Sequence, residues 1–130
     1  MPDYLFDSTV LIDYLRGHPS VHAYIQILLD RPQTVAYSIM TEAELWAGVR
    51  DRQDEQRHTD ALSRMKRLGI TSKIARLAGA FYGRHKAQGL SLPDALIAAT
   101  AKVYRKTLLT RNTKHFELLR DDLALEFYSL

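Results

Sequence analysis

The run Tyr4-Leu5-Phe6-Asp7-Ser8 is a short apolar segment that ends in a carboxylate and a hydroxyl. Its three apolar residues are typical of a buried strand, and the pattern from Ser8 to Leu15 predicts a helix. Asp7 therefore falls at a strand-to-helix turn, and in open α/β sheets such turns line the binding crevice. Taken alone, an aspartate here is more often a helix cap, which contributes about 0.5–2 kcal/mol.

The remaining sequence alternates helical and strand patterns. Further strands are predicted at residues 34–39, 107–110 and 123–128, with a very short strand or turn at 69–71. Further helices are predicted at 20–29 (ended by Arg31-Pro32-Gln33), 41–49, 53–68, 74–81 (ended by Gly89) and 91–101. This alternation predicts a three-layer α/β/α fold with a mostly parallel central sheet flanked by helices.

Composition narrows the class of protein. With 130 residues, of which 46% are hydrophobic and 25% charged, we expect one globular domain spanning residues 1–130. The absence of cysteine excludes disulfides and thiolate metal sites, and it fits a reducing compartment. The sequence begins without a secretory pattern and has no apolar run near the roughly 18 residues of a membrane span. We therefore expect a soluble, cytoplasmic protein.

The net charge of +3 conceals two basic regions. Residues 50–76 carry eight Lys and Arg against four acids, and residues 101–120 carry six against one. Solvated helix faces are the commoner meaning of such regions, but the excess is also compatible with a polyanionic partner.

Three polar residues share one kind of position. Asp7, Glu44 and Asn112 each follow an apolar strand and stand near the start of a helix, so parallel strands bring them to one edge of the sheet. Asp94 follows a helix instead, and its convergence with them is an inference. Helix stabilisation is the alternative: carboxylates contribute about 0.3–1 kcal/mol each at helix N-termini, and Thr41 with Glu44 matches a capping box.

Carboxylates gathered in a crevice repel one another unless a cation neutralises them. Oxygen ligands, without cysteine or a histidine pair at helical spacing, favour Mg²⁺ or Mn²⁺. Such a site suits phosphodiester hydrolysis, in which a metal activates water and offsets phosphate charge. The basic regions would hold the remaining phosphates.

Four motifs in order give the chain a family resemblance: residues 4–9, residues 41–45 with Gly48, residues 92–99, and residues 109–112 followed by Phe116. Over essentially its whole length, the chain resembles PIN-domain ribonucleases, in particular the VapC-type toxins of bacterial toxin–antitoxin pairs. The resemblance implies a Mg²⁺- or Mn²⁺-dependent endoribonuclease, an RNA substrate, a cognate antitoxin that blocks the site, and a homodimer.

The resemblance also implies roles for individual residues. Asp7 and Asp94 match metal ligands, and Glu44 matches a third in preference to Glu42, which should point elsewhere. Asn112 matches a fourth catalytic position at which many relatives have aspartate. Because its amide oxygen brings no charge, the site would hold three formal negatives, and either one-metal or two-metal chemistry stays open.

Neighbouring residues are weaker candidates. Ser8 and Thr110 are expected either to hydrogen-bond the ligands or metal waters, or to cap helices. Arg111 is expected either to contact substrate phosphate or to be plain surface charge. His115, three residues past Asn112, is expected either to approach the site or, as is commoner, to be a solvent-facing or core histidine.

Two other classes of protein remain open. A receiver-like signalling module would also use an acidic crevice with Mg²⁺, but it needs a phosphoacceptor aspartate after a mid-chain strand and a lysine after a late strand, and neither is evident. A catalytically inactive RNA-binding or protein-interaction domain is favoured by Asn112 and by the basic regions.

Overall fold

The central sheet of the protein contains five strands in the computed structural model, which describes residues 3–31 and 34–130. The strands are β1 (Tyr4–Phe6), β2 (Val35–Ser38), β3 (Lys66–Leu68), β4 (Thr107–Thr110) and β5 (Leu125–Phe127). Their order is β3-β2-β1-β4-β5, and every neighbouring pair is parallel. The predicted α/β fold with a parallel sheet is confirmed.

Helices cover both faces of this sheet. They are α1 (Ser8–Leu15), α2 (Pro19–Leu29), α3 (Ile39–Ala47), α4 (Arg52–Ser63), α5 (Ser72–His85), α6 (Leu92–Val103) and α7 (Thr113–Phe116). Short 3-10 turns follow α5 and α7. Of the helix end predicted at Arg31-Pro32-Gln33, the last two residues lie outside the described ranges. No helix in the described part of the chain has the length and apolar character needed to cross a bilayer.

One boundary differs from the sequence prediction. The helix predicted to reach Leu68 ends at Ser63, and the short strand lies at residues 66–68 rather than 69–71. The three-residue spacing of Met65 and Leu68 resembles a helical turn, but the edge of β2 offers hydrogen-bond partners to an extended segment instead. Only Leu68 in this strand is buried, as suits an edge strand.

Alternation along β1 builds two cores. Tyr4 and Phe6 pack in one cluster with residues of α1, α2 and α4, whereas Leu5 packs in the other with α5 and α6. Because successive strand side chains point to opposite faces, a strand covered on both sides must be apolar throughout. This explains the uninterrupted apolar run that precedes Asp7.

The chain path determines where a crevice opens. The chain passes from β1 to β2 and β3 in one direction, and then α5 and α6 carry it back to β4 on the other side of β1. The strand order therefore reverses between β1 and β4, and crevices form at the carboxyl ends of strands at such a point. Asp7 lies there, and its N–H donates to the Leu109 carbonyl at 3.0 Å.

Candidate active site

Asp7 occupies the N-cap position of α1, but its side chain makes no capping hydrogen bond. The hydroxyls of Thr9 and Thr110 instead each donate to its Oδ2 at 2.8 Å. The carboxylate is only 2% exposed. Helix capping therefore does not account for this side chain, which two hydroxyls hold at the sheet edge.

Glu44 lies in the second turn of α3. The helix begins at Ile39, where the Ser38 hydroxyl accepts the Met40 N–H, so the capping box predicted between Thr41 and Glu44 is wrong. The backbone leaves β2 directly into the helix, which puts the cap three residues earlier than the sequence motif suggested. The Glu44 carboxylate reaches α1, where the Ser8 hydroxyl donates to its Oε1 at 2.7 Å.

Glu42, two residues before Glu44 on α3, has a different neighbour. It lies 3.7 Å from the guanidinium of Arg67 on the edge strand β3. Residues two positions apart on a helix point in different directions. Glu42 thus faces away from the carboxylates around Asp7.

Asp94 lies in the first turn of α6, where its N–H donates to the Ser91 hydroxyl at 3.1 Å. Asn112 caps α7, since its side-chain oxygen accepts the His115 N–H at 3.3 Å. His115 Nδ1 lies 3.4 Å from Asp94 Oδ2, so this histidine approaches the site, which is the less expected of its two positions. The sequence did not favour this position because α7 is too short for the direction of its side chains to be inferred from periodicity.

The three carboxylates interact electrostatically. Burial raises the pKa of Asp7 against the effect of its two hydroxyl donors, and the charge of Asp94 raises it further. Burial also raises the pKa of Glu44, to which the charges of Asp7 and Asp94 add. Negative charge is therefore concentrated where the strand order reverses.

These carboxylates do not form a ready-made metal cage. Within residues 3–31 and 34–130, no group of three or more His, Asp and Glu side chains is positioned to hold an ion. The Ser8 hydroxyl holds Glu44 toward α1, and Thr9 and Thr110 hold Asp7. A cation bound by all three carboxylates would require side chains to close around it.

A buried ion pair beside the site escaped sequence reasoning. Arg111 donates from Nε and Nη2 to Asp13 at 2.7 and 3.0 Å, and the Tyr128 hydroxyl donates to the same carboxylate at 2.7 Å. Burial favours a raised pKa for Asp13, but these donors lower the pKa below its usual value. The available signal was the position of Asp13 three residues after Val10, on a buried face of α1.

The Arg111 pair anchors the loop after β4. The guanidinium holds α1 through Asp13, and the Arg111 N–H donates to Thr9 Oγ1 at 3.3 Å. Thr9, which sequence reasoning also missed, therefore joins this loop to Asp7. Contact between Arg111 and substrate stays a prediction.

An open parallel sheet with acidic side chains where its strand order reverses defines a class of α/β domain with an acidic crevice. Residues 4–120 match the PIN domain, and the chain belongs to the PIN-domain family. Among its relatives is Ribonuclease VapC19 of Mycobacterium tuberculosis, 35% identical over 120 residues, which are 90% of this chain and 94% of the relative.

Solved structures agree with this assignment. A toxin–antitoxin complex from Klebsiella pneumoniae contains a chain that is 38% identical, with a TM-score of 0.73 and coverage of 87% of this chain and 89% of that one. VapBC2 from Rickettsia felis, solved with a promoter DNA fragment, has a TM-score of 0.79 over 97% of this chain and 98% of that one. At 23% identity, the latter supports the fold alone.

Proposed function

We propose that this protein is a metal-dependent endoribonuclease, the toxin of a toxin–antitoxin pair. The observation that carries the proposal is the electrostatic coupling of Asp7, Glu44 and Asp94 at the crevice of the sheet. The relatives named Ribonuclease VapC support RNA as the substrate.

The donor set suits a hard divalent cation. Asp7, Glu44 and Asp94 would hold Mg²⁺ or Mn²⁺ through carboxylate oxygens, and Asn112 would assist with a neutral one. Bound there, the ion would lower the pKa of a water and offset negative charge on the phosphate. Burial, with the charges of neighbouring carboxylates, raises the pKa values of Asp7 and Glu44, and a bound cation would offset both effects.

The hydroxyls around the site orient the carboxylates. Thr9 and Thr110 converge on one oxygen of Asp7, which limits rotation of that carboxylate. Ser8 does the same for Glu44 from the adjacent helix. Partners of metal ligands typically contribute 10–100-fold to metal affinity or activity, so these three side chains are proposed as positioning residues.

The relatives of this chain also suggest its partners. A cognate antitoxin is proposed because a relative 38% identical was solved as a toxin–antitoxin complex. A homodimer is proposed alongside it. Light scattering of the purified chain, alone and with the product of a neighbouring antitoxin gene, tests both assemblies.

Metal removal is the direct test of the proposed activity. We expect the purified protein to cleave single-stranded RNA with Mg²⁺ or Mn²⁺, to lose this activity in EDTA, and to recover it when either ion is added back. RNA cleavage followed on a gel is the measurement. Undiminished cleavage in EDTA would contradict the metal role, and RNA that stays intact with both ions would contradict the nuclease.

Asn112→Asp is expected to tighten Mn²⁺ binding by about 3–10-fold, because it adds a fourth negative charge near the ion. Asp caps helices as well as Asn does, so α7 should persist. Titration calorimetry gives the affinity, and Asn112→Ser is the matched control that retains a cap without a charge. Equal affinities of the Asp variant and the parent would place residue 112 away from the ion.

The signalling alternative is not favoured. Doubly wound receiver-like sheets follow the order 2-1-3-4-5, whereas this sheet follows β3-β2-β1-β4-β5. The mid-chain strand β3 is followed by Gly69, Ile70 and Thr71, which provide no phosphoacceptor carboxylate. An inactive RNA-binding domain would be indicated by RNA binding without cleavage in the metal assay.

A further inference from the structure

A groove of about 440 Å³ adjoins Glu44 between α1, α3 and α4. The half-buried Ile12 and Leu15 contribute apolar surface to it, and Arg16, Arg50 and Arg57 contribute positive charge. Its volume lies in the range of small-ligand sites, which is about the size of one nucleotide. The groove therefore extends the acidic crevice with a surface of opposite charge.

Two of these arginines, Arg50 and Arg57, are held by one buried carboxylate. Asp54, in the first turn of α4, accepts Arg50 Nε at 2.8 Å and Arg57 Nη1 at 3.3 Å. Arg57 also donates to the Leu15 carbonyl, so it joins α4 to the end of α1. The Arg50 side chain remains 79% exposed despite its ion pair, which leaves it accessible to a ligand.

Arg16 is the least engaged of the three. Its side chain makes no hydrogen bond or ion pair with any residue in the described ranges, and it is exposed beside the groove. An arginine without a partner loses no existing contact when it binds a phosphate. Arg16 therefore offers the least compensated positive charge along this surface.

We propose that this groove binds the single-stranded RNA on one side of the cleaved bond, with Arg16 and Arg50 on its phosphates and a base against Ile12 and Leu15. The inference rests on the proposed nuclease function. Unstacked bases favour apolar or aromatic surfaces, and basic grooves follow the backbone of single strands. Glu44 lines the groove, so a strand lying in it leads directly to the carboxylates.

The test measures RNA binding without cleavage. In an Asp7→Asn background, fluorescence anisotropy of a labelled single-stranded RNA is followed over a series of salt concentrations. Arg16→Gln should weaken binding about 3–10-fold and lower the slope of log affinity against log salt by about 0.7, the contribution of one phosphate contact on a single strand. Adding Arg50→Gln should lower affinity and slope again by similar amounts.

Arg76→Gln is the matched control. Arg76 is an exposed arginine on α5, which packs on the opposite face of the sheet, and its loss should change neither affinity nor slope. Arg16→Gln removes no hydrogen bond or ion pair within the described residues, so it tests the inference even if loss of the Arg50–Asp54 pair impairs folding. Thermal unfolding confirms that each variant is folded.

The outcomes separate this inference from the proposed function. If the parent cleaves RNA but Arg16→Gln binds RNA with unchanged affinity and salt slope, the proposal that this groove binds RNA is overturned and the nuclease function stands. An equal loss in Arg76→Gln overturns it too, because the effect would then be one of net charge. Groove variants that weaken only antitoxin binding would assign this surface to a protein. Absence of cleavage by the parent contradicts the nuclease, whatever the anisotropy shows.

Discussion

Asp7→Asn is expected to lower RNA cleavage by more than about 100-fold and at the same time to raise the stability of the metal-free protein. The activity loss follows from removing a proposed metal ligand, since even the outer partners of such ligands contribute 10–100-fold. The stability gain, on the order of 1 kcal/mol, follows from removing a charge that is buried among other carboxylates.

The stability gain should depend on pH. Folding raises the pKa of Asp7, so the metal-free parent loses stability as the pH rises from about 4, the ordinary value, through the raised pKa. The amide variant does not titrate at this position. The difference in unfolding free energy between the variant and the parent should therefore grow as the pH rises through this interval, and it should be smallest below the interval.

Urea unfolding in EDTA at several pH values measures the stability, and RNA cleavage with Mn²⁺ measures the activity. Asp94→Asn is expected to abolish cleavage as well. Glu44→Gln is expected to lower cleavage too, and Glu42→Gln is its matched control, because Glu42 lies on the same helix but faces Arg67. Full activity in both the Asp7 and Asp94 variants would refute the assignment of the site, and a variant that is less stable than the parent at every pH would refute the electrostatic account of Asp7.

Arg111→Met is expected to lower the unfolding free energy by about 3 kcal/mol, because it leaves a buried carboxylate without its cation. Asp13 is fully buried and would retain only the Tyr128 hydroxyl among its present donors. The value lies at the low end for broken buried pairs because the Arg111 side chain is 37% exposed and is partly screened by solvent.

A double-mutant cycle isolates the pair. Asp13→Asn combined with Arg111→Met should cost less than the two single variants together, with a coupling of about 1–3 kcal/mol. Urea unfolding at neutral pH is the measurement. Additive costs would show that Arg111 stabilises the fold by packing its side chain rather than by pairing with Asp13.

Most strands and the layered architecture could be predicted from short stretches of sequence. The apolar run before Asp7 identified β1, because a strand buried on both faces must be apolar at every position. The segment at 66–68 was not recognised, because its one buried residue carries too little pattern to distinguish a strand from a helical turn. Pairing with the edge of β2 makes this segment a strand, and that pairing cannot be predicted from the residues of the segment alone.

The proposed site divides in the same way. Topology rules placed Asp7 and Glu44 at one edge from their positions after strands, whereas Asp94 needed the family motif because it follows no strand. Contacts between side chains distant in sequence stayed hidden. Ser8 and Glu44 are 36 residues apart, and Thr110 and Asp7 are 103 apart.

The order of apolar and polar residues along the chain was thus enough to predict a parallel α/β sheet with acidic residues at the ends of its strands. Strand burial and turn positions could be predicted because they depend mainly on residues that are close in sequence. Only the folded chain decided that Asp7 is held by Thr9 and Thr110 rather than capping α1, and that Arg111 turns to Asp13. Those choices depend on which donors the crossover connections bring within hydrogen-bonding distance of a buried carboxylate, and that proximity exists only once the sheet has formed.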